Sequence, residues 1–412
     1  QYSNNYSNSS SRSLKIIFMN ILIINSGSSS IKYQLLEMPS AQVICAGMIE
    51  RIGSTESIST FKSQDFKIDK ISEITNHKEG LETITALLLD FEKGVLESTK
   101  DIDAIGHRVV HGGSAFTETT LIDNEVKNKI KMFSPLAPLH NPANLVGIEM
   151  AEKIFNSAKQ IAVFDTAFHG TVPVKAKKYA IPTELYDEKG IQAYGFHGTS
   201  HKYVSERASE YLGNKNVKLI SIHLGNGCSI TAVKDGKSID HSMGFAPSNG
   251  LVMGTRSGDI DHSIIFYMVN TLGYSLDEVN ELLNKESGML GLTGFNDLRD
   301  IESEASKGNT SCILALEMNA YRIKKYIGAY TAAMNGLDAI IFTAGIGENS
   351  SLMRELVCKD MDIFKIHLDD AKNDLKSSTI REVNTKDSKV KILVIPTNEE
   401  LEIAKQVYGL LT

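Results

Sequence analysis

The stretch NILIINSGSSSIKYQLL, residues 20–36, decides the fold. Residues 20–24 form an apolar run that predicts a buried strand, and residues 31–36 predict a second strand. Residues 25–30 between them are small and polar, which indicates a tight loop. The pattern is therefore a strand–glycine loop–strand hairpin and not a strand-to-helix turn.

The same pattern returns about one domain length later. Residues 219–224 predict a strand, residues 225–229 a loop and residues 230–233 a strand that ends at the turn signal Asp235-Gly236. Superposing Ser30-Ile31 on Ser229-Ile230 aligns both apolar runs and both loops. This internal repeat predicts two related domains that face each other, each supplying one loop.

Helices are predicted in the intervals, which makes the fold class α/β. One begins at Asn141-Pro142 and one, at 275–284, carries the capping box of Ser275 and Glu278. A long helix over 311–335 has a continuous apolar stripe. Strands are predicted at 339–342 and 391–395. The segments 343–350 and 396–400 follow them, and a last helix closes the chain.

Composition limits the classes of protein. A chain of 412 residues predicts two domains, and 42% hydrophobic with 23% charged residues is ordinary for a globular protein. The net charge of −7 without a basic face argues against nucleic acid as a partner. No apolar run approaches the roughly 20 residues of a membrane span. Four isolated cysteines fit a reducing compartment, so a cytoplasmic location is expected.

Residues 1–18, rich in Ser and Asn, are predicted to be a disordered leader or tag, with Met19 as a native start. Arg12 and Lys15 before an apolar run resemble the beginning of a signal peptide. Asn20 interrupts that run, no small-residue cleavage site follows, and the next segment is the glycine-serine loop. We therefore do not interpret this segment as a signal peptide.

The two hairpin loops suit phosphate binding, since they offer backbone amides, hydroxyls and little side-chain bulk. Two common nucleotide motifs are absent. Gly236-Lys237-Ser238 resembles the end of a P-loop, but Thr231 stands where its first glycine is required. Gly345-x-Gly347 begins a dinucleotide fingerprint, but Ser350 occupies its third glycine position. Neither a P-loop ATPase nor a Rossmann dehydrogenase is indicated.

Several charged or polar residues stand beside glycines or at the ends of predicted elements, namely Arg108, His140, Asp165, His197 and Arg256. One such residue alone is more often a satisfied structural group. Together they supply what phosphoryl transfer requires: cations that spread charge, donors that orient, and carboxylates for Mg²⁺.

Nine motifs, in order, resemble the acetate kinase family over about residues 19–408. They are NSGSSSIK (25–32), GHRVVHGG (106–113), PLHNP (138–142), FDTAFH (164–169), YGFHGTSH (194–201), HLGNG (223–227), MGTRSGDID (253–261), TAGIGENS (343–350) and PTNEE (396–400). The resemblance implies two duplicated ribonuclease-H-like domains with a nucleotide cleft, as in sugar kinases, chaperone ATPases and actin. It implies a first domain of residues 19–167 plus 397–412 and a second of residues 168–396.

The resemblance also implies roles for individual residues. Arg108 and Arg256 would hold the carboxylate and the transferring phosphoryl, with His197 and His140 as donors and Asp165 near the reacting groups. Asn25 and Glu399 would bind Mg²⁺, with Mn²⁺ as an alternative. Arg108, Val110, Leu139, Phe196 and Pro247 would bind the acid. The nucleotide, ATP or ADP, would contact Asn25, Ser28, Ser30, Lys32, His223, Asn226, Gly227, Asp297, Leu298, Arg299, Gly345, Ile346 and Asn349.

The implied reaction is a direct in-line transfer of the ATP γ-phosphoryl to acetate or a similar short-chain acid, and a homodimer is expected from the family. A propionate kinase is the alternative within the class, and a slow ATPase switch is the alternative outside it. Three departures from the family pattern stand out: Ala-Pro-Ser-Asn at 246–249, Gly170 after His169, and a segment at 294–297 that is one residue short.

Overall fold

The computed structural model describes residues 16–138 and 140–412. Most of the predicted leader, and Leu139 of the predicted acid pocket, therefore lie outside the described residues. Residues 16–18 are exposed and belong to no helix or strand.

The first half of the chain contains eight strands, three α-helices and three short 3₁₀ helices among the described residues. The strands are β1 (Met19–Ser26), β2 (Ser30–Met38), β3 (Gln42–Glu50), β4 (Ser54–Ser63), β5 (Lys67–Ile74), β6 (Ala104–Val109), β7 (Thr120–Leu121) and β8 (Lys159–Phe164). The helices are α1 (His77–Leu88), α2 (Asn124–Met132) and α3 (Asn141–Ile154), with 3₁₀ turns at Thr99–Asp101, Ser134–Leu136 and Ala167–Thr171.

The rest of the chain adds six strands and twelve α-helices. The strands are β9 (Lys218–Leu224), β10 (Cys228–Lys234), β11 (Lys237–His241), β12 (Ala339–Thr343), β13 (Arg381–Glu382) and β14 (Lys391–Val394). The helices are α4 (Val174–Lys177), α5 (Thr183–Asp187), α6 (Gly198–Leu212), α7 (Ser263–Asn270), α8 (Leu276–Lys285), α9 (Gly288–Thr293), α10 (Leu298–Ser306), α11 (Thr310–Met334), α12 (Ala344–Asn349), α13 (Ser351–Cys358), α14 (Asp370–Asn373) and α15 (Glu399–Leu411), with a 3₁₀ turn at Asp362–Phe364.

Two sheets repeat one topology. The first has a central order β3-β2-β1-β6-β8, and the second has the order β11-β10-β9-β12-β14. In each, the first three strands pair antiparallel, and the next two join parallel to the first strand of the hairpin. Strands β4, β5 and β7 extend the first sheet and β13 the second. The predicted internal repeat and α/β class are confirmed.

The run Ile21–Ile24 in β1 is apolar at every position because both faces of its sheet are covered. Ile21 and Ile23 pack with Ile403 and Val407 of α15 on one face. Leu22 and Ile24 belong to the cluster beneath α1 and α3 on the other face. Alternate residues of a strand point to opposite faces, so one unbroken apolar run serves both layers.

The predicted helices at 141, 275 and 311 all form, and the Ser275–Glu278 capping box is present in both directions. The segment 343–350, for which no helix was predicted, contains α12 (Ala344–Asn349) directly after β12. Two glycines in this segment have low helix propensity. Packing of α12 against β9 outweighs that preference.

Among the described residues, no helix combines the length and the apolar character needed to cross a membrane. All four cysteines are free and buried.

Candidate active site

Three parallel strands of the first sheet end at one edge, and each brings a polar side chain there. Asn25 is the second-to-last residue of β1, Arg108 the second-to-last residue of β6, and Asp165 directly follows β8. Carboxyl ends of parallel strands meet at one edge of a sheet, which is where ligands of open α/β sheets bind. Glu399, the first residue of α15, joins them from the end of the chain.

Arg108 is the centre of this group. Its Nη2 donates to Asp165 Oδ2 at 2.7 Å and its Nη1 donates to Asn25 Oδ1 at 3.4 Å. Its Nε lies 3.8 Å from Glu399 Oε2 and, although buried, has no hydrogen-bond partner in the described residues. The guanidinium is thus held by one short ion pair and keeps a free donor.

Burial strongly affects the charges here. Burial raises the pKa of Glu399 to about 7, with Asp165 adding to the rise and Arg108 opposing it. Burial alone would lower the pKa of Arg108, but Asp165 and Glu399 raise it above its usual range. The carboxylates of Asp165 and Glu399 therefore share the single positive charge of Arg108. A second cation beside them would reduce the repulsion between the two carboxylates.

The second domain supplies His197 and Arg256. His197 has a left-handed backbone with φ 54° at the start of α6, and its amide donates to Asp165 Oδ2 at 3.3 Å. A Cβ atom placed on Gly227 would lie 3.4 Å from His197 Nε2 and 3.5 Å from Arg256 Nη2. Imidazole and guanidinium therefore converge on the glycine of the second hairpin loop, and a Cβ atom there would lie in contact with both.

Arg256 also contacts the predicted acid pocket. Its Nη1 donates to the carbonyl of Pro247 at 2.5 Å, within the segment 246–249 that departs from the family pattern. Val110 and Phe196 are buried in one apolar cluster. Leu139, the remaining predicted pocket residue, lies outside the described residues.

The histidines near the cleft are neutral at pH 7. Burial lowers the pKa of His197 well below its usual range, and His223, His201 and both arginines lower it further. Burial, followed by Arg108 and Arg256, also lowers the pKa of His140, which precedes α3.

The first hairpin loop is closed by its own backbone, since Gly27 N donates to Ser30 O at 2.8 Å. Ser28 is exposed at its tip. Lys32 reaches Glu400 Oε1 at 2.5 Å, next to Glu399 on α15. Ser28, Ser30 and Lys32 thus stand at the same edge of the first sheet as Asn25.

A cavity of about 670 Å³ in the second domain brings together seven of the predicted nucleotide residues. They are Asn226, Asp297, Leu298, Arg299, Gly345, Ile346 and Asn349. Gly225, Asn296, Glu302 and Ser350 also line the cavity and were not predicted. Arg299 is bound to Asp297 through Nε and Nη2, at 3.0 and 2.5 Å. The segment 294–297 is one residue shorter than the family pattern, yet Asp297 at its end still lines this cavity.

Sequence reasoning missed a cluster of buried histidines behind the site. His169, His201 and His241 join His197 and His223 there. The rings of His197 and His223 stack at 4.3 Å, and those of His169 and His241 lie 4.1 Å apart. A signal was available, since His201 follows His197 by one helical turn in the quoted motif.

Two sheets of the same topology, a cavity beside one hairpin loop and two arginines with neutral imidazoles define the class of nucleotide-dependent phosphotransferases. The model of the acetokinase family matches residues 20–405. The acetate kinase of Flavobacterium johnsoniae is 66% identical over 393 residues, which cover 95% of this chain and all of that protein. The chain belongs to the acetokinase family, as the motifs predicted.

Solved structures of acetate and propionate kinases have the same fold as this chain. The crystal structure of Porphyromonas gingivalis acetate kinase has a TM-score of 0.90 at 42% identity and covers 96% of this chain and all of that one. A propionate kinase from Francisella tularensis has a TM-score of 0.89 at 44% identity, with 94% and 98% coverage. The predicted fold class of paired sheets and helices is therefore confirmed.

Proposed function

We propose that this chain is an acetate kinase that transfers the γ-phosphoryl of ATP to acetate, reversibly and in line. The carboxylate oxygen forms a bond to the γ-phosphorus while the bond from that phosphorus to the β,γ-bridging oxygen breaks, and ADP leaves. The observation that carries the proposal is the convergence of Arg256 and His197 on Gly227, together with the Arg108–Asp165 ion pair that the His197 amide contacts. The 66% identical acetate kinase supports the same activity.

Positioning and charge neutralisation suffice for this chemistry. A carboxylate is already ionised near neutral pH, so the reaction requires no strong general base. Arg108 and Arg256 spread the charge of the transferring phosphoryl, because a planar guanidinium bonds pairs of oxygens. His197, with His140 alongside, donates a hydrogen bond without adding full charge. Asp165 holds Arg108 in place through the 2.7 Å bond.

The nucleotide is placed by the two loops and the 670 Å³ cavity. Ser28, Ser30, Lys32 and the amides of the first loop face the phosphates from one sheet, and His223, Asn226 and Gly227 face them from the other. The adenosine occupies the cavity between α10 and α12, with Asp297, Leu298 and Arg299 on one side. Gly345, Ile346 and Asn349 form the other side.

Mg²⁺ fits the donor set of the first sheet. Asn25 and Glu399 offer oxygen ligands, and Mg²⁺ commonly takes one or two carboxylates plus nucleotide phosphates and water. Burial raises the pKa of Glu399, so a nearby cation would stabilise the charged form of this carboxylate. The described residues contain no group of three or more acidic, His or Cys side chains arranged to hold a metal without the nucleotide. The ion would neutralise phosphate charge, and Mn²⁺ suits the same ligands.

The apolar side chains Val110 and Phe196 would contact the methyl group of a short acid. Val110 and Phe196 are almost fully buried, and the carbonyl of Pro247 is bound by Arg256. A propionate kinase is the second candidate, since the solved propionate kinase is 44% identical to this chain. One additional methylene is worth only about 1–3 kcal/mol, so the two acids must be compared directly.

A hydroxylamine trap for acyl phosphate tests the function. Purified protein and MgATP are incubated with acetate, propionate or butyrate in parallel. We expect the strongest signal with acetate and a weaker one with propionate. Stronger product from propionate would assign a propionate kinase instead. No acyl phosphate from any acid, with slow ATP hydrolysis remaining, would favour the ATPase switch.

We also propose a homodimer, formed through the surface of α7, α8 and α11. Large apolar side chains are exposed there, including Phe266 at 62%, Leu276 at 68% and Tyr321 at 66%. Tyr326 of α11 donates to Asp259 at 2.6 Å, which ties α11 to the segment that precedes α7, and α7 itself packs against α8. Sedimentation should give twice the 45.2 kDa chain mass for the wild type and the single chain mass for Tyr321→Glu. A wild-type monomer would contradict this.

A further inference from the structure

A single serine hydroxyl joins His197 to His201. Ser229 Oγ lies 2.8 Å from His197 Nδ1 and 2.7 Å from His201 Nε2. The other nitrogen of His201, Nδ1, lies 2.9 Å from Ser221 Oγ. Ser221, Ser229 and His201 are fully buried. These bonds form a chain that ends at His197 Nε2, which faces the space beside Gly227.

The chain of bonds permits two proton arrangements. Both imidazoles are neutral, so each carries one N–H and one lone pair. The hydroxyl of Ser229 has one proton, so it donates to one ring and accepts from the other. The proton positions of His197 and His201 are therefore linked, and they change together.

The two arrangements present opposite chemistry to the cleft. When Ser229 donates to His197 Nδ1 and His201 Nε2 donates to Ser229, the proton of His197 is on Nε2 and points outward. When the direction is reversed, His197 presents a lone pair. Phosphoryl oxygens only accept hydrogen bonds, so the first arrangement stabilises them and the second repels them.

We propose that Ser229, supported by His201 and Ser221, is a positioning residue that keeps the proton of His197 on Nε2. The inference rests on the proposed function, in which His197 donates to the transferring phosphoryl. Without the hydroxyl, His197 Nδ1 has no donor, and the ring is free to carry its proton on the wrong nitrogen. Preorganised donors of this kind cost no reorganisation during the reaction.

The same cluster offers a matched control. Ser238 Oγ lies 2.8 Å from His169 Nδ1, and Ser238 is also fully buried. The other nitrogen of His169 donates to the backbone carbonyl of Phe196 at 2.9 Å and so does not face the cleft. Ser238→Ala therefore removes the same kind of serine–histidine bond without changing the tautomer of His197.

The test compares wild type, Ser229→Ala and Ser238→Ala. We expect Ser229→Ala to lower kcat at least about tenfold, with KM for acetate and MgATP within about threefold, because the lost bond acts in the transition state. Ser238→Ala should stay within about threefold in kcat. Long-range ¹H–¹⁵N spectra of histidine-labelled protein, assigned with His197→Gln, should show Nε2–H in wild type and a tautomer mixture in Ser229→Ala.

Equal kcat losses in both alanine variants, or an unchanged His197 tautomer in Ser229→Ala, would overturn the inference. Should Ser229→Ala not fold, Ser229→Cys keeps the volume with a weaker donor and carries the same expectations. Absence of acyl phosphate with the wild type would refute the proposed function instead, and the spectra would still report where the proton lies.

Discussion

Asp165→Asn tests the central ion pair, because it removes one charge while keeping the shape. Asp165 is 1% exposed and accepts from Arg108 Nη2 at 2.7 Å, from the His197 amide at 3.3 Å and from Thr199 Oγ1 at 3.3 Å. Removing one partner of a buried ion pair lowers the free energy of unfolding by about 3–5 kcal/mol. In Asp165→Asn the side-chain amide oxygen still accepts one hydrogen bond, and Glu399 remains 3.8 Å from Arg108. We therefore expect the free energy of unfolding to fall by about 3 kcal/mol, the lower end of that range.

Turnover should fall as well. Arg108 loses the bond that fixes its guanidinium, and losing one preorganised electrostatic group lowers kcat by about 10²–10³-fold. Urea unfolding measures the first effect, and coupled detection of ADP with saturating acetate and MgATP measures the second. Glu152→Gln is the control, since Lys127 and Glu152 form a pair of the same 2.7 Å length on α2 and α3.

The control should change the free energy of unfolding by less than about 1 kcal/mol, because partly exposed pairs contribute little. Turnover of folded Asp165→Asn within tenfold of the wild type would refute the role of the ion pair. So would a loss of stability no larger than that of the control.

Three further changes test other parts of the site. Arg256→Ala should lower turnover by about 10³-fold, as for catalytic arginines elsewhere, measured in the same ADP assay. Gly254→Ala would place a Cβ 1.9 Å from Asn226 Oδ1, so the amide must move, and KM for MgATP should rise about fivefold with little change in stability. His107 is buried with a pKa of about 4, so its contribution to stability is full above about pH 6.5 and falls as the pH drops toward 4. Between pH 6.5 and 4, the free energy of unfolding of His107→Gln, measured in urea, should therefore fall by about 3 kcal/mol less than that of the wild type.

Each of these has its own contradicting result. A folded Arg256→Ala that loses less than tenfold in turnover would remove Arg256 from the catalytic set. An unchanged KM for MgATP in Gly254→Ala would mean that Asn226 does not contact the nucleotide. Parallel stability curves for wild type and His107→Gln between pH 7 and 4 would show that His107 is not held neutral by burial.

The sequence predicted the two hairpins and the parallel strands because their apolar runs are uninterrupted, and burial on both faces leaves such runs no alternative. Motif residues such as Asn25, Arg108 and Asp165 were found because they follow predicted strands. Their mutual distances were not predictable, since the short Arg108–Asp165 bond depends on how β6 and β8 pair.

The histidine cluster was harder to predict. His169, His201 and His241 come from three separate elements, and only tertiary packing brings their rings within 6 Å. The helix α12 was missed for a related reason, because contacts with β9 outweigh its glycines. Propensity describes local preference, and these features are determined by neighbours distant in sequence.

The position of α15 has a consequence for how a nascent chain folds. Ile403, Ala404 and Val407 complete the apolar layer on one face of β1, β6 and β8, yet they follow the whole second sheet in the sequence. Domains emerge from the ribosome in order, and exposed apolar surface promotes aggregation. One face of the first sheet therefore stays uncovered while the second domain is synthesised, and Glu399 arrives with the same late segment.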